Sequence, residues 1–135
     1  MTITNKSILM VATLAIAGAT AAYAQMRPGL NVTSATVEGN KVSGITASLD
    51  KPGFVVLHNN DEGAPPASLG HVAIGDGESA NLTIMTAEPI DMSKEPTLML
   101  HYDTNNNGVY DFGPGMTDVD TPVSDATGVI NKPIQ

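Results

Sequence analysis

Ala80-Asn-Leu-Thr-Ile-Met85 is the stretch on which the reading of this chain turns. Ala80, Leu82 and Ile84 alternate with Asn81, Thr83 and Met85. A period of two sends successive side chains to opposite faces of an extended strand, so the aliphatic set is predicted to face a core and the other set to face solvent. The strand is bounded upstream by the tight turn Gly75-Asp76-Gly77. Before that turn, Leu69 to Ile74 is short enough for an edge strand, and Asn59 to Ser68 is a loop dense in Asn, Asp, Gly and Pro. Phe54 to His58 is the most apolar run and is predicted to be a central strand.

The same punctuation continues to both ends. Leu30 to Val37 reads as a first strand, Glu38-Gly39-Asn40 as a turn, Lys41 to Leu49 as the returning strand, and Asp50-Lys51-Pro52-Gly53 as a second turn. Downstream, Glu88 to Glu95 is a connection. Thr97 to Tyr102 then puts Leu98, Leu100 and Tyr102 on one face, and a last strand lies near Thr127 to Asn131. Gly, Pro, Asn, Asp and Thr recur too often for an amphipathic helix. About seven short strands at this spacing predict an all-β fold, a single antiparallel β-sandwich with immunoglobulin-like layering. Phe54, Val56, Leu82, Ile84, Leu98 and Leu100 are the expected core. There is no cysteine and no tryptophan, so the Cys…Trp…Cys signature of true immunoglobulin domains is missing.

Residues 1–24 read differently. Lys6 provides a basic start, Ile8 to Ala17 is an apolar run broken only by Thr13, and Ala22-Tyr23-Ala24 fits a small-x-small cleavage site. That is the pattern of a secretory signal peptide cut before Gln25. Its apolar run is too short for a membrane span. The expected mature domain is therefore 25–135, a size that suits one domain. Lys6 is one of six basic residues, so fourteen acids face five bases in that part. Such an acidic balance argues against nucleic acid or an anionic membrane as a partner, and suits solubility or cation attraction. An exported domain of this size without disulfides has few staples, and a bound ion would supply one.

Several segments in order resemble a known family: Gly53-Phe-Val-Val-Leu-His58, Gly63-Ala64-Pro65, Gly70-His71, Thr97-Leu-Met-Leu-His-Tyr-Asp103 and Gly108-Val-Tyr-Asp-Phe112. The chain resembles the DUF7282 family of exported β-sandwich domains over roughly Leu30 to Ile134. The resemblance implies a fold and an extracellular or envelope location, and the family carries no established activity. It also shows a departure: family members often close with Gly, several apolar residues and Pro-Phe, where this chain reads Gly128-Val-Ile-Asn-Lys-Pro-Ile134.

The most chemically pointed stretch is Asp103-Thr-Asn-Asn-Asn-Gly-Val-Tyr-Asp111. Oxygen-bearing side chains at positions one, three, five and nine, with glycine at six, form the front half of a calcium loop. Asp103, Asn105, Asn107 and Asp111 would offer side-chain oxygens, Val109 its carbonyl, and Gly108 the sharp turn. Pro114 occupies position twelve, so Asp118 or Asp120 would have to fold back in place of the usual bidentate acid. The plain alternative is a polar hairpin loop, for which Asn-Gly is a strong signal.

His58, His71 and His101 each lie at or near a predicted strand end. If they converge, they could hold zinc or copper, helped by Met99 or Asp103. If they do not, they are ordinary loop-bonded histidines. A blue-copper site is excluded because it needs a cysteine thiolate. Asn31-Val-Thr33 and Asn81-Leu-Thr83 are glycosylation sequons, or else polar residues facing outward on strands. No cysteine nucleophile, Gly-x-Ser-x-Gly elbow or phosphate loop is present, so catalysis has little basis. The expected function is a non-enzymatic exported module that binds an extracellular or envelope partner, its loop ordered by calcium. The alternative is a periplasmic copper- or zinc-binding protein built on the histidines, and a small hydrolase is third.

Overall fold

The computed structural model describes residues 26–60 and 65–135, so the signal-peptide reading and Gly63-Ala64 lie outside the described residues. Among the described residues, two four-stranded antiparallel sheets face each other and a small hairpin lies beside them. In the first sheet, β3 (Lys41–Leu49) is central. Its one edge carries both β1 (Gly29–Asn31) and β2 (Thr36–Glu38), and its other edge carries β6 (Gly77–Met85). The second sheet runs β10 (Asn131–Pro133), β7 (Pro96–Tyr102), β4 (Gly53–Asn59), β5 (Ser68–Ile74). The hairpin pairs β8 (Ser124–Asp125) with β9 (Gly128–Val129). A single 3-10 turn, Met92–Lys94, links the sheets, with the Asp91 carboxylate accepting from Ser93 N–H. The predicted all-β sandwich is the fold observed.

The core lies between the sheets. Val42, Ile45 and Leu49 of β3 and Ile84 of β6 meet Val55 and Leu57 of β4, Ile74 of β5, and Leu98 and Leu100 of β7. Each such side chain contributes roughly 1.5–3 kcal/mol on burial. Phe54, Val56, Ile84, Leu98 and Leu100 are fully buried as expected, and Leu82 is partly buried against the core. Every residue of β4 is buried. A strand covered on both faces reads as one continuous apolar run, which is why Phe54 to His58 stood out.

Three local expectations are corrected. The first strand is two pieces. Thr33 N–H donates to Asn31 Oδ1 at 2.9 Å and Ala35 N–H to the Val32 carbonyl at 3.0 Å, which turns the chain out of the sheet between β1 and β2. That turn presses the Ser34 carbonyl against Gly44, which has φ +77° and no room for a Cβ. Within β6, Asn81 takes φ +54° and the register on β3 shifts between Ile45 and Ala47. This β-bulge keeps Leu82 and Ile84 inward but turns Ala80 outward. Finally, the expected strand Thr127 to Asn131 is split. Asp125 accepts from Thr127 N–H at 2.7 Å and from its hydroxyl at 2.6 Å, and Gly128 sits at φ +120°, which makes the tight turn from β8 into β9, and β10 starts only after Ile130. Pro133 is accommodated because β10 is an edge strand.

Candidate functional site

β7 ends at Tyr102 and the chain then crosses the outer face of the second sheet before returning to the edge of β7. The return is fixed by Tyr102 N–H to the Thr121 carbonyl at 3.1 Å and Val123 N–H to the Leu100 carbonyl at 2.9 Å. The acidic loop opens this excursion. Asp103 accepts from Gly108 N–H at 2.8 Å and Asn107 N–H at 3.2 Å, with Gly108 at φ +70° completing the turn. Asn107 Oδ1 accepts from Val109 N–H at 2.9 Å. The amide nitrogens of Asn107 and Asn105 both donate to Asp111 Oδ2, at 2.9 and 3.2 Å. Those two donors, Asn107 first, hold the Asp111 carboxyl below the usual carboxylate range. The structure thus draws Asn105, Asn107 and Asp111 together and wraps Asp103 around the backbone of the same turn.

Asp118 is exposed, while Asp120 folds back onto the loop and is fully buried. Its Oδ1 accepts from Thr104 N–H at 3.0 Å and its Oδ2 from Asp111 N–H at 2.8 Å. Its own N–H donates to the Thr104 hydroxyl at 2.8 Å. Asp120 therefore clamps the loop at positions two and nine. Its backbone adopts φ +46°, a region that Asp tolerates better than most residues. The sequence offers Asp120 as a stand-in ligand for calcium or, with Asp118, as one of two paired carboxylates, and neither reading is a clamp on backbone. The partners of its clamp are backbone groups, which leave no mark in a sequence.

Beneath the loop is a layer of rings. Tyr110 packs edge-on against Phe54 at 5.5 Å between centroids and against His101 at 5.1 Å, and lies tilted on His71 at 5.2 Å. Phe112 covers His101 at 4.9 Å, and His101 stands 5.8 Å from His58. The three histidines thus share one face of the second sheet, but not one point. His58 and His101 form a buried pair, while His71 is exposed and lies against Tyr110. Among the described residues, no group of three or more His, Cys, Asp or Glu side chains is arranged to hold a metal ion.

The paired histidines are oriented by backbone. His101 Nδ1 lies 2.6 Å from the Asp120 carbonyl and His58 Nδ1 lies 3.4 Å from the Ala67 carbonyl. A carbonyl only accepts, so each Nδ1 carries the proton and each Nε2 keeps its lone pair. His58 Nε2 is buried without a partner, and His101 Nε2 has only a long 3.5 Å contact with the Tyr110 hydroxyl. Burial pushes both imidazoles toward the neutral form: His101 falls to about 4, and His58 also drops below its ordinary value. Burial likewise raises Tyr110, so its phenol stays protonated. His58, Thr97, Met99, Phe112 and Pro122 help line a cleft of about 480 Å³.

Residues 28–133 match the family described as DUF7282, "Domain of unknown function". The chain belongs to that family. The DUF7282 match takes in both sheets, the clamped loop and the ring layer. The chain is also 31% identical over 81 residues to "Cell surface glycoprotein 1" of Haloarcula hispanica, a stretch that is 60% of this chain and 9% of that protein. No solved structure matches it. Among the described residues, no helix is long and apolar enough to cross a membrane. Of the two sequons, Asn31 spends its side-chain oxygen on the turn before β2, and Asn81 sits exposed at the bulge of β6.

Proposed function

We propose that this DUF7282 domain is exported and works at the cell surface as a binding or structural module without catalysis. The observation that supports this most is the 31% identity to a cell surface glycoprotein. The rigid sandwich fits such a role, because a module displayed outside the cell has to hold a surface in place with no disulfide to help it. A membrane-impermeant amine label applied to intact cells tests this reading. Labelling equal to that in lysed cells is expected, and labelling only after lysis would end it.

The finer reading adds calcium at the Asp103 loop. It rests on the approach of Asn105, Asn107 and Asp111 to one another and on the turn at Gly108. Binding would require the Asn105 and Asn107 amides to rotate so that their oxygens replace their nitrogens beside Asp111, a change that leaves heavy-atom positions nearly fixed and releases Val109 N–H from Asn107 Oδ1. An ion at one hundred times its dissociation constant would raise stability by about 2.7 kcal/mol. The expected result is a thermal midpoint that rises with millimolar calcium and drops with chelator, and Asp103→Ala should remove the response. No shift with calcium would leave this loop as a self-bonded turn.

A further inference from the structure

His58 and His101 are placed as metal ligands are placed, although no three-residue cluster surrounds them. Each imidazole is anchored through Nδ1–H on a backbone carbonyl, which fixes the ring and frees Nε2. His58 is 2% exposed and His101 0%, and the buried Nε2 of His58 has no partner at all. An unpaired buried nitrogen carries a desolvation cost that a ligand would remove.

The register explains how the two rings meet. On β4 and β7, His58 stands opposite Thr97 and His101 opposite Phe54, with the Val56–Met99 rung between them. Four residues of strand would separate the two rungs by roughly 13 Å. The ring centroids are nevertheless 5.8 Å apart, so both imidazoles lean toward each other over Val56 and Met99. Two imidazoles that share one ion, each with a nitrogen about 2 Å from it, hold their centroids roughly 5–6 Å apart.

We infer that His58 and His101 bind one copper(I) ion through their Nε2 atoms, with the Met99 thioether as the third ligand. The chemistry of the pocket selects the ion. Met99 lines the same cleft as His58, and no Asp or Glu does so among the described residues. Two neutral imidazoles and a thioether suit a soft ion. A buried site with no anionic ligand among the described residues holds a monocation at lower desolvation cost than a dication. The Tyr110 hydroxyl, 3.5 Å from His101 Nε2, makes a contact long enough for an ion to displace. The site does not depend on calcium binding by the Asp103 loop or on where the protein is displayed.

The test is an anaerobic titration of the whole chain with copper(I) against a colorimetric copper(I) chelator, followed by copper X-ray absorption. One ion per chain is expected, with scattering from two imidazoles and one sulfur. His58→Leu should weaken binding by roughly 100-fold or more, since even the outer partners of a metal site are worth 10–100-fold. Met99→Leu should weaken it while preserving the imidazole signal. His71→Leu should leave binding unchanged. Circular dichroism of each variant separates loss of the site from loss of the fold, and His58→Gln, which leaves a polar side chain in the pocket, serves if His58→Leu does not fold. Failure of the folded wild type to retain copper(I) would overturn the assignment. So would equal retention by a folded His58 variant, loss of binding in His71→Leu, or retention of zinc(II) in preference to copper(I).

Discussion

Asp120→Ala is expected to destabilise the domain by about 3–5 kcal/mol. The carboxylate of Asp120 is fully buried and accepts the N–H groups of Thr104 and Asp111 at 3.0 and 2.8 Å. A hydrogen bond to a charged group contributes about 1.5–3 kcal/mol, and removing the acceptor leaves both donors short of a partner. Asp120→Asn keeps the shape but turns an amide NH₂ toward one of those donors, so it should lose much of the same stability. Domains of this size have total stabilities of roughly 5–15 kcal/mol, so the loss is large enough to bring unfolding near room temperature. Urea unfolding measures it. Hydrogen exchange adds a local signature: the amides of Thr104 and Asp111 should lose protection in Asp120→Asn before those of β3 do. A change below about 1 kcal/mol would mean the loop is held by its rings rather than by this clamp.

The second large effect is with pH. His101 has a folded-state value of about 4 because burial disfavours the charged ring, only partly offset by its bond to the Asp120 carbonyl. In the unfolded chain it titrates near 6.5. Between those values the unfolded state binds more protons than the folded one, so stability falls as pH drops. The contribution of His101 is fully present above about pH 6.5 and is lost progressively down to about pH 4, a difference of about 3 kcal/mol. His58 is shifted in the same direction, chiefly by burial, and steepens the fall. The exposed carboxylates of Asp91, Asp111 and Asp125 sit below their ordinary range, so their effect comes at the acid end of this window and beyond it. Urea midpoints at pH 7.5, 6 and 5, with chelator present, should decline in that order. A flat profile would show that His101 is not buried in its neutral form.

The sandwich was legible because its strands obey simple periodicities. β3 has the bounds read from the sequence, and Leu98, Leu100 and Tyr102 share the face that alternation assigned them. β4 was legible as central because it is apolar on both faces, although what covers its outer face was not. That cover is Tyr110, with Phe112 over the neighbouring His101, both delivered by a segment whose sequence reads as either a calcium loop or a polar hairpin turn. The Ala80 error has a plain cause: a bulge inserts one residue, and Asn81 is compatible with either backbone conformation until β3 fixes the register. Likewise, the pairing of His58 with His101 and the separation of His71 depend on rings leaning across a rung, on which spacing in sequence says nothing. The sharp turn at Gly108 that carries Asp103, Asn105, Asn107 and Asp111 was legible. The direction of each amide was not, because Asn presents a donor and an acceptor of equal size.

Intact-mass analysis of the protein recovered from its native cells, by fraction, tests the surface reading most directly. An exported module should be found in the envelope or medium with Gln25 as its first residue, the leader having been removed after Ala24. Recovery from the cytoplasm with Met1 to Ala24 still attached would contradict it.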